Sequence, residues 1–160
     1  MQTTPVIEQY IRIKANHQDS LLFFRMGDFY ELFFEDAVLA SDILNIILTK
    51  RGKYRDKDIP MCGVPHHSAE SYIKNLLEKG CKIAICEQME TPKEAKKRGY
   101  KSIVNRDVVR VISPGTLLED TFLEQRKNNI LASLFCLEKS WSVCWIDIST
   151  NLFQITSTLE

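Results

Sequence analysis

The sequence predicts an α/β (α+β) fold: a mixed central sheet flanked by helices, followed by a strand meander that opens a second, truncated domain. Two observations carry this. Up to residue 113, helix-period apolar segments alternate with short strand-like segments, the pattern of a layered sheet. After residue 129, three strand-like segments follow one another, separated only by turn residues.

Residues 5–16 read as a helix, with Val6, Ile7, Tyr10, Ile11 and Lys14 on one stripe. Leu21–Arg25 is a short apolar strand, broken by Gly27-Asp28. Asp36–Asn45 reads as a second helix with Ala37, Ala40 and Leu44 on one side, and Ile46–Thr49 as a buried strand. The run from Lys50 through Arg51, Gly52, Lys53, Tyr54, Arg55 and Asp56 to Lys57 reads as a basic loop or hairpin tip.

Ser68 is the expected N-cap of a helix over Ala69–Lys79, stopped by Gly80. Lys82–Glu87 is apolar on both sides and is expected centrally in the sheet. Thr91-Pro92-Lys93-Glu94 is a helix start with a cap residue, Pro at the first position and Glu at the third, and that helix ends near Gly99. Asp107–Ser113 is a further strand, ended by Pro114-Gly115. The meander is expected over Ile130–Leu137, Ser142–Ser149 and Leu152–Ser157, with turns near Lys139-Ser140 and Thr150-Asn151. The expected division is therefore a domain over 1–115, a linker over 116–128 and the start of a second domain over 129–160.

Apolar content of 44% and charged content of 26% are those of a globular protein. No apolar run approaches the ~20 residues of a membrane span, and the N-terminus lacks the pattern of a secretory signal. The five Cys (62, 81, 86, 136 and 144) have no framework spacing and read as reduced thiols, as in a cytoplasmic protein. Net charge is zero, but it is unevenly spread. Residues 1–49 hold 3 Lys/Arg against 7 Asp/Glu, residues 50–113 hold 15 against 8, and residues 114–160 hold 3 against 6. The basic middle could meet a polyanion or be a solvated surface.

The stretch Arg25-Met26-Gly27-Asp28-Phe29-Tyr30-Glu31-Leu32-Phe33 carries the most chemistry. In extended backbone, Phe29 and Glu31 share a face. An unpartnered carboxylate is costly in a core. The pairing suits a face that meets a ligand offering a stacking surface and a hydrogen bond. Other readings of the same segment are a Mg2+ group formed by Asp28, Glu31, Glu35 and Asp36, as in a metal-dependent nuclease, or an amphipathic segment with core aromatics and solvated acids. Exposed aromatics would also fit a protein-interaction module.

No phosphate-binding Gly-x-x-x-x-Gly-Lys-Ser/Thr pattern occurs around any of the six Gly. Cys81 and Cys86 differ by an odd number within an expected strand, so they should face opposite sides of the sheet and not share a zinc ion.

Phe24 to Phe33 resembles the N-terminal mismatch-recognition motif of the bacterial MutS family. Further stretches agree in the same order: Leu48–Gly52, Ile59–His67, Ala84–Gln88 and Val108–Thr116. Ile146–Thr150 resembles the opening of that family's connector domain. The resemblance spans nearly the whole chain, although the family is several times longer and carries lever, clamp and ATPase domains besides.

The resemblance implies binding of mismatched duplex DNA, with Phe29 as a wedge that stacks on a mispaired base from the minor groove and Glu31 as its hydrogen-bonding partner. Further DNA contacts are expected from Met26, Lys50, Arg51, Lys53, Arg55, His67, Ser68 and Arg110. It implies no cofactor or catalysis in this chain. ATP and Mg2+, a homodimer and a MutL-type partner reached through the connector domain belong to the whole family protein, which is expected to be cytoplasmic and nucleoid-associated, with no membrane partner.

Overall fold

The computed structural model describes residues 4–99, 102–114, 130–138 and 140–159. The chain divides into two compact units, residues 1–113 and 114–160. The expected linker over 116–128, and the turn residue Lys139, lie outside the described residues.

In the first unit, helix α1 (Pro5–Lys14) starts at Thr4, whose hydroxyl accepts from the Ile7 N–H, with Pro5 at the first helical position. It buries Ile7, Gln9, Tyr10 and Ile13. Strand β1 (Leu21–Met26) is followed by β2 (Phe29–Phe33), α2 (Phe34–Leu44), β3 (Thr49–Tyr54) and β4 (Lys57–Pro65). A 3-10 turn over His66–Ser68 leads into α3 (Ala69–Glu78), then β5 (Ile83–Gln88), α4 (Pro92–Lys97) and β6 (Arg106–Ile112). The six strands form one mixed sheet in the order β3-β4-β2-β1-β5-β6, with only β1 and β5 parallel. This is the expected mixed sheet with helices.

Leu22 and Phe24 of β1 and Phe33 of β2 are fully buried with Ile7, Tyr10 and Ile13 of α1. Each such side chain contributes about 1.5–3 kcal/mol by leaving water. The Tyr10 ring stands edge-on to Phe24 at 5.5 Å and to Phe33 at 5.0 Å. Its hydroxyl donates to the buried Asp36 carboxylate at 3.1 Å. Asp36 also accepts from the Leu22 N–H at 2.9 Å and pairs with Lys14 at 2.8 Å. One carboxylate thus ties α1, β1 and the first turn of α2 together.

Three expectations need correction. Ile46–Thr49 is not a buried strand: Asn45 ends α2 in the left-handed region, and Ile47 is 85% exposed in the connection that follows. The strand lies in the basic segment instead, as β3, at the sheet edge where Lys50, Arg51 and Lys53 stay solvated. Ser68 is at the N-cap position of α3 but does not cap it through its side chain, because its hydroxyl donates to the Pro65 carbonyl at 3.4 Å. Cys81 precedes β5, so the opposite-face argument for Cys81 and Cys86 does not apply.

The capping box at Thr91 is present, with Glu94 reaching back to the Thr91 N–H at 2.7 Å. In the second unit, β7 (Ile130–Leu137), β8 (Ser140–Asp147) and β9 (Leu152–Leu159) form an antiparallel meander. Neighbouring residues on β7, such as Leu134 and Phe135, are both exposed, so apolar side chains stand on both faces of this sheet. Among the described residues, no helix is long and apolar enough to cross a membrane.

Asp36→Ala strands the buried Leu22 N–H and removes one partner each from Tyr10, which keeps the Phe33 carbonyl at 3.2 Å, and Lys14, which keeps the Ser20 carbonyl at 2.6 Å. It is expected to lower stability by roughly 2–3 kcal/mol, against about 1 kcal/mol for Tyr10→Phe. Urea unfolding followed by circular dichroism measures both, and equal costs would contradict the anchoring role.

Burial pushes the Cys62 thiol up to about 11 and the Cys86 thiol up to about 12 from an ordinary 9.0. Burial, then donation to Glu87, raises the Tyr30 hydroxyl from 10.0 to about 12. The native chain keeps these protons where the unfolded chain loses them. Stability is therefore whole below pH 9 and falls as pH climbs to 12, by at most about 1.4 kcal/mol per pH unit for each group. A urea midpoint that stays level from pH 9 to 11 would contradict this burial.

Candidate nucleic-acid interface

The site begins at a two-residue hairpin loop. Gly27, with φ +63°, occupies the first central position between β1 and β2, where glycine lets the turn follow the twist of the strands. β2 then runs between two antiparallel neighbours. Phe29 aligns with Met26 of β1 and Pro65 of β4, and Glu31 aligns with Phe24 and Gly63. Aligned residues point to the same side of a sheet. Met26, Phe29 and Glu31 thus share the face on which α1 covers Phe24 and Phe33. The Phe29 ring is 47% exposed.

Gly63 leaves room beside Glu31. A Cβ there would lie 3.3 Å from the Tyr30 carbonyl and 3.7 Å from Glu31 Cγ.

Two arginines approach Glu31. Arg51 lies on β3 at a register shift between Lys50 and Lys53, next to Gly52 with φ +67°. Such a bulge re-aims a side chain. Arg51 forms an ion pair with Glu31 and stands over the Phe33 ring at 6.0 Å. The Arg51 side chain is 42% exposed and that of Glu31 16%.

Arg106 is buried and held by its own bonds. Its Nε donates to the Arg25 carbonyl at 2.6 Å, and Nη1 donates to Gln9 Oε1 at 3.1 Å and to the Val104 carbonyl at 2.9 Å. The guanidinium lies over the Phe24 ring at 4.9 Å. Burial lowers its pKa from the ordinary arginine value, opposed by Cys86 and by the Glu31 carboxylate.

The opposite side of the hairpin is clamped as well. Tyr30 donates to Glu87, and Arg25 lies 3.7 Å from Glu87 and over the Tyr30 ring at 5.5 Å. Arg25 Nε donates to the Gly27 carbonyl, and the His66 N–H donates to the Asp28 carbonyl at 2.8 Å. The loop that presents Phe29 is therefore fixed from both flanks.

Of the expected site residues, Met26, Phe29, Glu31 and Arg51 come together. Lys50, Lys53 and Arg55 lie along the β3–β4 hairpin, where Lys50 pairs with Asp58 at 2.6 Å and Arg55 covers the Tyr54 ring at 5.2 Å. His67 and Ser68 sit in the 3-10 turn after β4. Arg110 is on β6 and aligns with Ile85, whose side of the sheet is that of Phe23 and Tyr30, opposite Phe29.

Sequence reasoning did not find Arg106, Gln9 or Gly63. A charged residue at the start of an apolar strand was a signal for Arg106, whereas nothing local marked the other two. The four acids weighed as a metal group are dispersed in role: Asp36 is buried against Tyr10 and Lys14, and Glu31 is paired with Arg51. Among the described residues, no three His, Cys, Asp or Glu are grouped to hold a metal ion.

Chemically, the face offers an exposed aromatic ring and a carboxylate acceptor on a rigid hairpin, beside a basic strand. The ring can stack on a planar group, and the basic strand can meet anionic oxygens.

Residues 4–121 match the family model described as MutS domain I. The chain is 56% identical over 157 residues to the DNA mismatch repair protein MutS of Wolbachia pipientis wMel, covering 98% of this chain and 18% of that relative. It is 56% identical over 155 residues to that of Roseobacter denitrificans, covering 97% of this chain and 18% of the relative. It is 52% identical over 155 residues to that of Ehrlichia chaffeensis, covering 97% and 19%. The chain spans about a fifth of the length of these curated relatives.

Proposed function

The chain belongs to the MutS family, and on that premise we propose that it binds mismatched or unpaired bases in duplex DNA to initiate mismatch repair. In this reading residues 1–115 are the mismatch-recognition domain, 116–128 a linker and 129–160 the first strands of the connector domain. The observation that carries the proposal is the half-exposed Phe29 ring, held on a clamped hairpin with Glu31 on the same face.

Phe29 acts as a wedge from the minor groove. Inserting an apolar side chain at a sound step costs a few kcal/mol of unstacking. A mispaired or unpaired base is the least costly to displace. Stacking on the ring returns roughly 1–3 kcal/mol with little regard to base identity. The site therefore reads deformability more than sequence, which suits a detector of many mismatches.

Glu31 adds a polar test. Its carboxylate accepts from a base imino N–H, whereas a purine N7 only accepts and finds no donor in the carboxylate. Lys50, Arg51, Lys53 and Arg55 meet phosphates and set register, with Met26 beside the wedge and His67 and Ser68 as outlying contacts; Arg110, on the opposite side of the sheet, is set apart from them.

The remaining functions belong to the whole protein: an ATP site with Mg2+ outside this chain, a homodimer, a MutL-type partner reached through the connector domain, and a place in the bacterial cytoplasm on the nucleoid. The segment itself carries no catalytic step.

Titration of a labelled G·T duplex against its homoduplex at two salt concentrations tests the central claim. The chain is expected to bind weakly, to prefer the mismatch and to lose affinity steeply with salt. Phe29→Ala should bring the preference close to one while the urea midpoint holds, and an unchanged preference would remove the wedge. Glu31→Gln should strengthen homoduplex binding several-fold and narrow the preference, and unchanged affinity for both duplexes would remove the proposed role of Glu31.

A further inference from the structure

The two arginines beside Glu31 are held in different ways. Arg106 is 9% exposed and makes three hydrogen bonds to fixed partners, so it is a permanent charge beneath the site. Arg51 is 42% exposed and stands on an edge strand at a glycine bulge. It pairs with the Glu31 carboxylate and lies over the face of Phe33. A solvent-facing ion pair of this kind is weak and exchangeable. A guanidinium binds a phosphate through the same fork it offers a carboxylate.

A duplex approaching Phe29 brings phosphates toward β3 and puts Glu31 under a base. If Arg51 stays on Glu31, the carboxylate is neutralised but occupied. If Arg51 leaves, the carboxylate needs another donor or faces phosphates uncovered.

We propose that Arg51 is a switchable counter-charge that sets specificity: it stays on Glu31 against a sound duplex, and transfers to a DNA phosphate when a displaced base donates an N–H to Glu31. The transfer couples the base hydrogen bond to one added backbone contact, so the mismatch is read twice. Gly52 gives the bulge its geometry, and Arg106 stays fixed over Phe24, the residue aligned with Glu31, after Arg51 departs. This rests on the reading of Glu31 as the base-contacting group.

A double-mutant cycle of Glu31→Gln and Arg51→Met, run on the 160-residue chain at low salt with homoduplex and G·T duplex, tests the transfer. Because the free chain already holds the pair, the two positions should be within twofold of independent on homoduplex, where it persists, and coupled several-fold on the mismatch, where it is lost. In the unaltered chain the slope of log affinity against log salt should be steeper by about one on the mismatch. That difference should vanish in Arg51→Met and persist in Arg51→Lys, which keeps the charge. Equal coupling on both duplexes, or equal salt slopes in the unaltered chain, would overturn the transfer. Glu31→Gln without effect on either duplex would instead remove the underlying reading of Glu31, so the two failures are distinguishable.

Discussion

The constraint on which the rest depends is the register of β2. It is hydrogen-bonded on both sides, to β1 and to β4, and strand side chains alternate with a period of two. Tyr30 and Leu32 are buried on one side, so Phe29 and Glu31 must stand on the other. A slip of one residue would bury the carboxylate and expel Leu32. Gly27 fixes one end through its turn, and the Asp36 network fixes the other. The exposed ring is thus a consequence of burying its neighbours.

On the proposed reading, the same register bears on the electrostatic problem of a carboxylate that faces DNA. Glu31 pairs with an edge-strand arginine, while a buried arginine locked by backbone and side-chain oxygens stands over Phe24, the residue aligned with Glu31. A single fixed cation would leave the carboxylate attractive to solvent but repelled by phosphates. A single mobile cation would leave it isolated when that cation moved. With both, the proposed transfer of Arg51 would rebalance the charge of the site without rebuilding the sheet. It also explains why a chain with zero net charge can present a locally basic strand beside an acid.

What the sequence made legible follows from how local each signal is. The shared face of Phe29 and Glu31 needs only alternation after a Gly-Asp break, and the capping box at Thr91 needs only four residues. Ile46–Leu48 misled because three apolar residues in a row look the same in a buried strand and in an exposed connection, and only Asn45 at positive φ separates them. The basic run hid β3 because an edge strand tolerates lysine and arginine where a central strand does not. Arg106 meeting Gln9, and Tyr30 meeting Glu87, are pairings across 97 and 57 positions, set by the order of strands in the sheet and by no nearby pattern.

Rigidity on the protein side is what makes a deformability reader work. If the ring had to be ordered on binding, that entropic cost would be charged equally to sound and mispaired duplexes, and would weaken both without separating them. Here the backbone of Phe29 is already fixed by two strand neighbours, a glycine turn and the Asp28–His66 bond. An aromatic side chain also has few torsions left to freeze. The variable term is then the cost of displacing the base, which belongs to the DNA. On the proposed wedge reading, a hairpin clamped on both flanks passes that difference on without an ordering cost of its own, and the Arg51–Glu31 pair is the part of the interface free to respond.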